Sequence, residues 1–181
     1  MIANLWRDLP PGRHPPEEIT AVIEIPFGTR NKYELDKNTG LIRLDRVLYS
    51  SMHYPGDYGF IPRTLYLDGD PMDVVVLVKE ETFPGCLIDA RPLGVLRMSD
   101  RGEPDDKILA VPLKDPFYEE FFDIADIPQH LLKEIEHFFE RYKDLEGKRV
   151  QIVGWEKSDV AMEVIRESIA LYDKTYLHLG P

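Results

Sequence analysis

The chain has 181 residues, 33 acidic and 22 basic, for a net charge of −11. That length fits one domain with a sizeable core, and the acidic balance argues against a protein that tracks nucleic-acid phosphates, which needs a basic face. A single cysteine, Cys86, excludes an intramolecular disulfide framework and an all-cysteine zinc site. No apolar run reaches membrane-spanning length, and the start Met1–Asp8 lacks the apolar stretch of a signal peptide. The expectation is a soluble cytoplasmic protein with neither a membrane nor a nucleic-acid partner.

Residues 1–19, with Pro10, Pro11, Pro15 and Pro16, read as an extended N-terminal arm on a single domain spanning 1–181. Short strands follow: Ala21–Ile25, ended by Pro26, then Lys32–Leu35 and Leu41–Val47 around the turn Asp36–Gly40. Further strands are expected at Val74–Val78, Cys86–Arg91, Gly94–Met98, Ile108–Val111 and Arg149–Val153. Two helices stand out. The first opens with Pro128 in its first turn, repeats Leu131, Leu132, Ile135, Phe138, Phe139 and Tyr142 at helical spacing, and stops near Gly147. The second is expected to be capped by Ser158 and carries Val160, Ala161, Val164, Ile165, Ile169 and Tyr172 on one face. Many short strands with Gly and Pro turns point to a mainly β fold, a closed or nearly closed barrel with flanking helices.

The chemistry-bearing stretch is Leu67–Asp73, which sets Asp68, Asp70 and Asp73 within six residues on a turn stiffened by Gly69 and Pro71. Such a cluster can be a solvated turn only, and the spacing does not fit an EF-hand loop. Three adjacent carboxylates repel one another, and a hard divalent cation would relieve that repulsion. A second acidic cluster, Asp100, Glu103, Asp105 and Asp106 beside Lys107, reads alone as a hairpin tip. Glu24 and Glu34 sit inside strands, where a carboxylate is costly unless paired or metal-bound. Tyr54–Pro62 reads as a rigid aromatic loop. Tyr142 and Lys143 either end the helix's core stripe or project over the barrel mouth.

Taken in order, Val22–Pro26, Lys32–Glu34, Asp45–Arg46, Tyr54–Pro55, Tyr58–Ile61, Asp68–Val74, Asp100–Lys107 and His137–Glu146 resemble the soluble, magnesium-dependent type I inorganic pyrophosphatases, in the short prokaryotic form, over residues 18 to 172. The resemblance implies an OB-like closed β-barrel plus two α-helices, several Mg²⁺ ions per site, pyrophosphate as substrate and a homohexamer. It also implies hydrolysis to two phosphates by a metal-activated water. By motif, Asp68, Asp73, Asp100 and Asp105 would bind metal, and Asp70 would be the general base. Lys32, Arg46, Tyr58, Tyr142 and Lys143 would hold phosphoryl oxygens, and Glu24, Glu34, Tyr54 and Lys107 would occupy other active-site positions.

These residue types suit the reaction independently of the family. Pyrophosphate is a multiply charged anion that repels a water nucleophile, so metals must activate the water and clamp the oxygens while Lys and Arg neutralise the rest. One departure is Arg101, where the family often carries an acidic residue directly after the first Asp; Pro104 and Asp106 are further additions to that loop. Two other readings share parts of the pattern. A noncatalytic OB-like binding module has no use for Asp70 beside two ligand aspartates, and a nucleoside-polyphosphate hydrolase needs a base-stacking pocket that no stretch supplies.

Overall fold

The computed structural model describes residues 4–177, which leaves the first three residues of the proline-rich arm and residues 178–181 outside. Five strands close a ring: β1 (Ile19–Ile25) pairs antiparallel with β4 (Asp57–Phe60), β4 antiparallel with β5 (Asp73–Val76) and β5 parallel with β8 (Lys107–Pro112). β8 then pairs antiparallel with β6 (Leu87–Asp100), which returns to β1. The ring is not a clean barrel. The far half of β6 pairs with β9 (Val150–Lys157) and with the two-residue β7 (Glu103–Pro104), while β2 (Asn31–Leu35) and β3 (Ile42–Val47) form a separate hairpin sheet.

The continuous apolar runs are explained by burial on both faces. Val75 and Leu109 pack in one cluster with Leu132, Ile135, Phe138 and Phe139 of α1 (Gln129–Arg141). Their strand neighbours Val74, Val76, Ile108 and Ala110 point the other way, into a cluster with Ala161, Val164 and Ile165 of α2 (Ser158–Tyr176). The ring is therefore sandwiched, with α1 on one side and α2 on the other.

Several expectations shift. Asp57–Phe60 is a strand rather than loop, and it packs tightly: a Cβ on Gly59 would fall 1.9 Å from the Val22 carbonyl oxygen, so only glycine allows this approach of β4 to β1. The two strands expected at 86–98 are one 14-residue strand. Pro92 is tolerated inside it because the β6–β8 register slips between Pro92 and Gly94, where no ladder donor is required. The first helix starts after Pro128 and ends at Arg141; the chain then makes one 3₁₀ turn, Asp144–Glu146, that Gly147 closes at φ 68°.

Ser158 does not cap α2. It is the first helical residue, and its backbone N–H (3.1 Å) and hydroxyl (2.8 Å) both donate to Oδ2 of Asp123, a carboxylate supplied from outside the helix. The N-terminal segment is folded down rather than simply extended. Trp6 is fully buried, donates Nε1–H to the Thr64 carbonyl at 2.8 Å, and meets Tyr172 and Tyr176 edge-on.

Candidate active site

The strand ends on one side of the ring enclose a cavity of about 570 Å³. Into it come Glu24 from β1, Lys32 and Glu34 from β2, and Tyr58 from β4. Asp68 and Asp70 arrive on the loop before β5, Asp73 as its first residue, and Asp100 as the last residue of β6. Asp105 precedes β8, Lys107 opens it, and Tyr142 and Lys143 follow α1. Twelve of the fourteen site residues expected from sequence line this one space. Tyr142 answers both readings offered for it, since it stacks on Phe138 with ring centroids 5.0 Å apart and still lines the cavity.

Arg46 and Tyr54 are not in the lining. Arg46 is held flat against Glu146, Nε to Oε1 at 3.0 Å and Nη2 to Oε2 at 2.9 Å, and also pairs with Asp45. Tyr54 is buried behind the cavity among Tyr58, Phe138 and Tyr142.

Lysines and carboxylates interleave. Lys107 donates to Asp73 Oδ2 at 2.6 Å and pairs with Asp105; Lys143 donates to Asp100 Oδ2 at 2.7 Å; Lys32 pairs with Glu34. Burial disfavours the Lys107 charge, but the two carboxylates beside it outweigh that and raise its pKa. Burial pushes Asp68 up to about 6, with Asp73, Asp70 and Asp105 adding to the shift against the Asp70 backbone N–H that it accepts. Asp105 is likewise raised by burial, with Lys107 opposing and Asp73 adding. Glu24 is pushed up to about 8 chiefly by burial, although its Oε1 accepts the Leu35 N–H at 2.6 Å. Burial also holds the Tyr58 phenol well above its ordinary pKa, so it remains a protonated donor.

The loop carrying the aspartate triplet is fixed by its own backbone. Asp70 N–H donates to Asp68 Oδ1 at 2.9 Å, Tyr66 N–H donates to the Asp70 carbonyl at 2.7 Å, and Gly69 takes φ 85° to make the turn. Asp106, the extra acid of the second loop, points elsewhere. It accepts from Tyr66 Oη at 2.6 Å and Met98 N–H at 3.0 Å and pairs with Arg97, so its role is to tie the two acidic loops together from behind. Sequence reasoning missed Lys37, whose ammonium pairs with Asp70, and left Arg101 without a site role, although it and Glu103 reach the cavity rim. Lys37 comes from a turn thirty-three residues from Asp70, and nothing local marks that meeting.

Among the described residues no three His, Cys, Asp or Glu side chains converge into a ready coordination cluster, and Asp73 and Asp100 pair with Lys107 and Lys143. The donors nevertheless fit a hard divalent cation. All are carboxylate oxygens, they share one cavity, and Asp100 Oδ1 is buried with no hydrogen-bond partner while Oδ2 is taken by Lys143.

A family model for inorganic pyrophosphatase matches residues 21–173. An inorganic pyrophosphatase of Haloferax volcanii is 51% identical over 176 residues, covering 97% of this chain and 99% of its own length, and one of Geobacillus stearothermophilus is 54% identical over 156 residues, covering 86% and 94%. The crystal structure of inorganic pyrophosphatase from Thermus thermophilus superposes with a TM-score of 0.91 at 45% identity, covering 94% of this chain and 99% of that one. With the match running through every strand of the ring and both helices, this chain belongs to the inorganic pyrophosphatase family.

Proposed function

We propose that this chain hydrolyses pyrophosphate with Asp70 as general base and magnesium as its resident cation, the diphosphatase reaction itself following from the family. The observation that carries the reading is the meeting of Asp68, Asp73, Asp100 and Asp105 with Asp70, Lys32 and Lys143 in one cavity. Asp68, Asp73, Asp100 and Asp105 would hold magnesium, which when bound neutralises phosphoryl oxygens and lowers the pKa of an attacking water. Asp70 takes the proton of that water on a carboxylate oxygen; its side chain is 58% exposed against 21% for Asp73, and its backbone is anchored on both sides. Lys32 and Lys143 neutralise the oxygens that are not attacked, and the Tyr58 and Tyr142 hydroxyls donate to them. Lys107 stays charged between Asp73 and Asp105 and holds both carboxylates to one ammonium. Arg46 lies outside the cavity lining, braced by Glu146, and its part as a planar donor to phosphoryl oxygens rests on the family resemblance.

The reading extends to one domain over 1–181 and a cytoplasmic location, both expected from the sequence, and to a homohexamer, which rests on the family resemblance. No helix of the described residues is long and apolar enough to cross a membrane. A phosphate-release assay on pyrophosphate and on ATP, each with Mg²⁺ and with excess chelator, tests the proposal. Rapid release from pyrophosphate alone, abolished by chelator, is the expected result. Comparable turnover of ATP would overturn the substrate assignment, and full activity after verified metal removal would overturn the cation.

A further inference from the structure

Lys37 is not among the residues that the sequence motifs mark, yet it lines the cavity and its ammonium pairs with the Asp70 carboxylate. Its position is built. The turn that carries it is tied by Asp36, whose Oδ1 accepts the Asn38 N–H at 3.0 Å and the Thr39 N–H at 3.1 Å, and whose Oδ2 accepts from Arg43 Nη2 at 2.7 Å. Gly40, at φ 73°, closes the turn by donating its N–H to the Asp36 carbonyl at 2.7 Å. On its other side the Lys37 ammonium lies 5.2 Å from the ring centroid of Trp6, a buried indole fixed by the bond to Thr64. Thus two elements remote from the acidic loops, a hairpin turn and the N-terminal segment, aim one cation at the reacting end of the site.

The pair with Asp70 is half exposed on both sides, 44% for Lys37 and 58% for Asp70. Such a pair is held weakly, whereas an ammonium bonded to a phosphate oxygen is charge-assisted and stronger. We propose that Lys37 is a further substrate-contacting cation: it moves from Asp70 onto a phosphoryl oxygen of bound pyrophosphate, freeing Asp70 as it does so, with Trp6 as the surface that keeps it in reach. The inference rests on the pyrophosphatase reading of the cavity. The distribution of charge supports it, since Lys107, nearly buried between Asp73 and Asp105, is less free to leave.

The test is calorimetric binding of methylenediphosphonate, whose P–C–P bridge cannot be hydrolysed, to the full chain in Mg²⁺ buffer, beside steady-state hydrolysis of pyrophosphate. Lys37→Met should weaken binding about tenfold, the scale of one charge-assisted hydrogen bond, and raise KM for pyrophosphate in step. Lys37→Arg should stay within about threefold of wild type, and Lys133→Met, an exposed lysine on α1 away from the cavity, should bind as wild type does. Trp6→Leu should weaken binding less than Lys37→Met and add little to it in the double variant. Binding by Lys37→Met within twofold of wild type, or a fall in kcat with binding unchanged, overturns the inference and leaves the pyrophosphatase reading standing. Wild-type protein that neither binds the analogue nor turns over pyrophosphate overturns both.

Discussion

Asp73 and Lys107 are direct partners across the parallel β5–β8 pair, and the Lys107 ammonium lies 2.6 Å from Asp73 Oδ2. Lys107 also holds Asp105, two residues back on its own chain. One nearly buried cation therefore joins the two acidic loops at the point where both strands enter the core. The register of a single strand pair fixes the spacing of two candidate metal-binding carboxylates.

Removing that cation should expose the repulsion it masks. Lys107→Met leaves Asp73 and Asp105 facing each other in a mostly buried site, and breaking such an arrangement costs about 3–5 kcal/mol. Urea denaturation in chelator should show a loss of that order, and the loss should shrink in millimolar Mg²⁺ because a bound cation replaces the missing charge. Equal destabilisation with and without Mg²⁺ would mean that these carboxylates do not share a metal.

Glu24 gives the metal-free fold a pH dependence. Burial raises its pKa from 4.5 to about 8, so the folded chain keeps a proton that the unfolded chain has lost between those values. Unfolding then releases a proton across that window, and stability falls as pH rises from about 4.5 to about 8. Glu24→Gln should remove the decline and make the apoprotein more stable than wild type at pH 8, on the order of a few kcal/mol. Denaturation curves in chelator at pH 5 and pH 8 measure the difference, and parallel losses in the two proteins would discount Glu24.

Arg46 meets Glu146 through two parallel bonds that only a planar guanidinium can make. Arg46→Lys keeps the charge but cannot span both oxygens, and kcat/KM for pyrophosphate should fall by about 1–3 kcal/mol of transition-state stabilisation. If kinetics are unchanged while thermal stability drops, Arg46 is a brace for Glu146 alone.

The parts of the site that were legible in the sequence are those whose residues lie close together in the chain. Asp68, Asp70 and Asp73 share one turn, Asp100 and Asp105 one hairpin, and Lys32 and Glu34 one strand edge, so local spacing carried their grouping. The strands β1, β5 and β8 were legible as apolar runs, because both helices cover them and no alternation is needed. Asp57–Phe60 was hidden by its Pro and Gly neighbours: a strand with Gly59 forced by the nearness of Val22 looks like a turn.

Lys37 and Trp6 were illegible for a different reason. Their importance comes from a meeting across the fold, Trp6 beneath Lys37 and Lys37 against Asp70, and no periodicity encodes it. Arg101 shows the converse. The sequence flags it as an oddity, and the structure gives the geometry, with Arg101 at φ 53° and Gly102 at φ 87° making the two-residue turn between β6 and β7 at the cavity rim.

The division of labour inside the aspartate triplet is the centre of this account, and a Mg²⁺ titration of phosphate release by Asp68→Asn and Asp70→Asn tests it most directly, with folding checked independently. Asn at position 68 keeps an oxygen and loses a charge, so its activity should recover in part as Mg²⁺ rises. Asn at position 70 cannot accept the proton of the attacking water, so its activity should stay about 10²–10⁴-fold down at every Mg²⁺ concentration. Recovery of Asp70→Asn by Mg²⁺ as complete as that of Asp68→Asn would contradict the account and make Asp70 one more metal ligand.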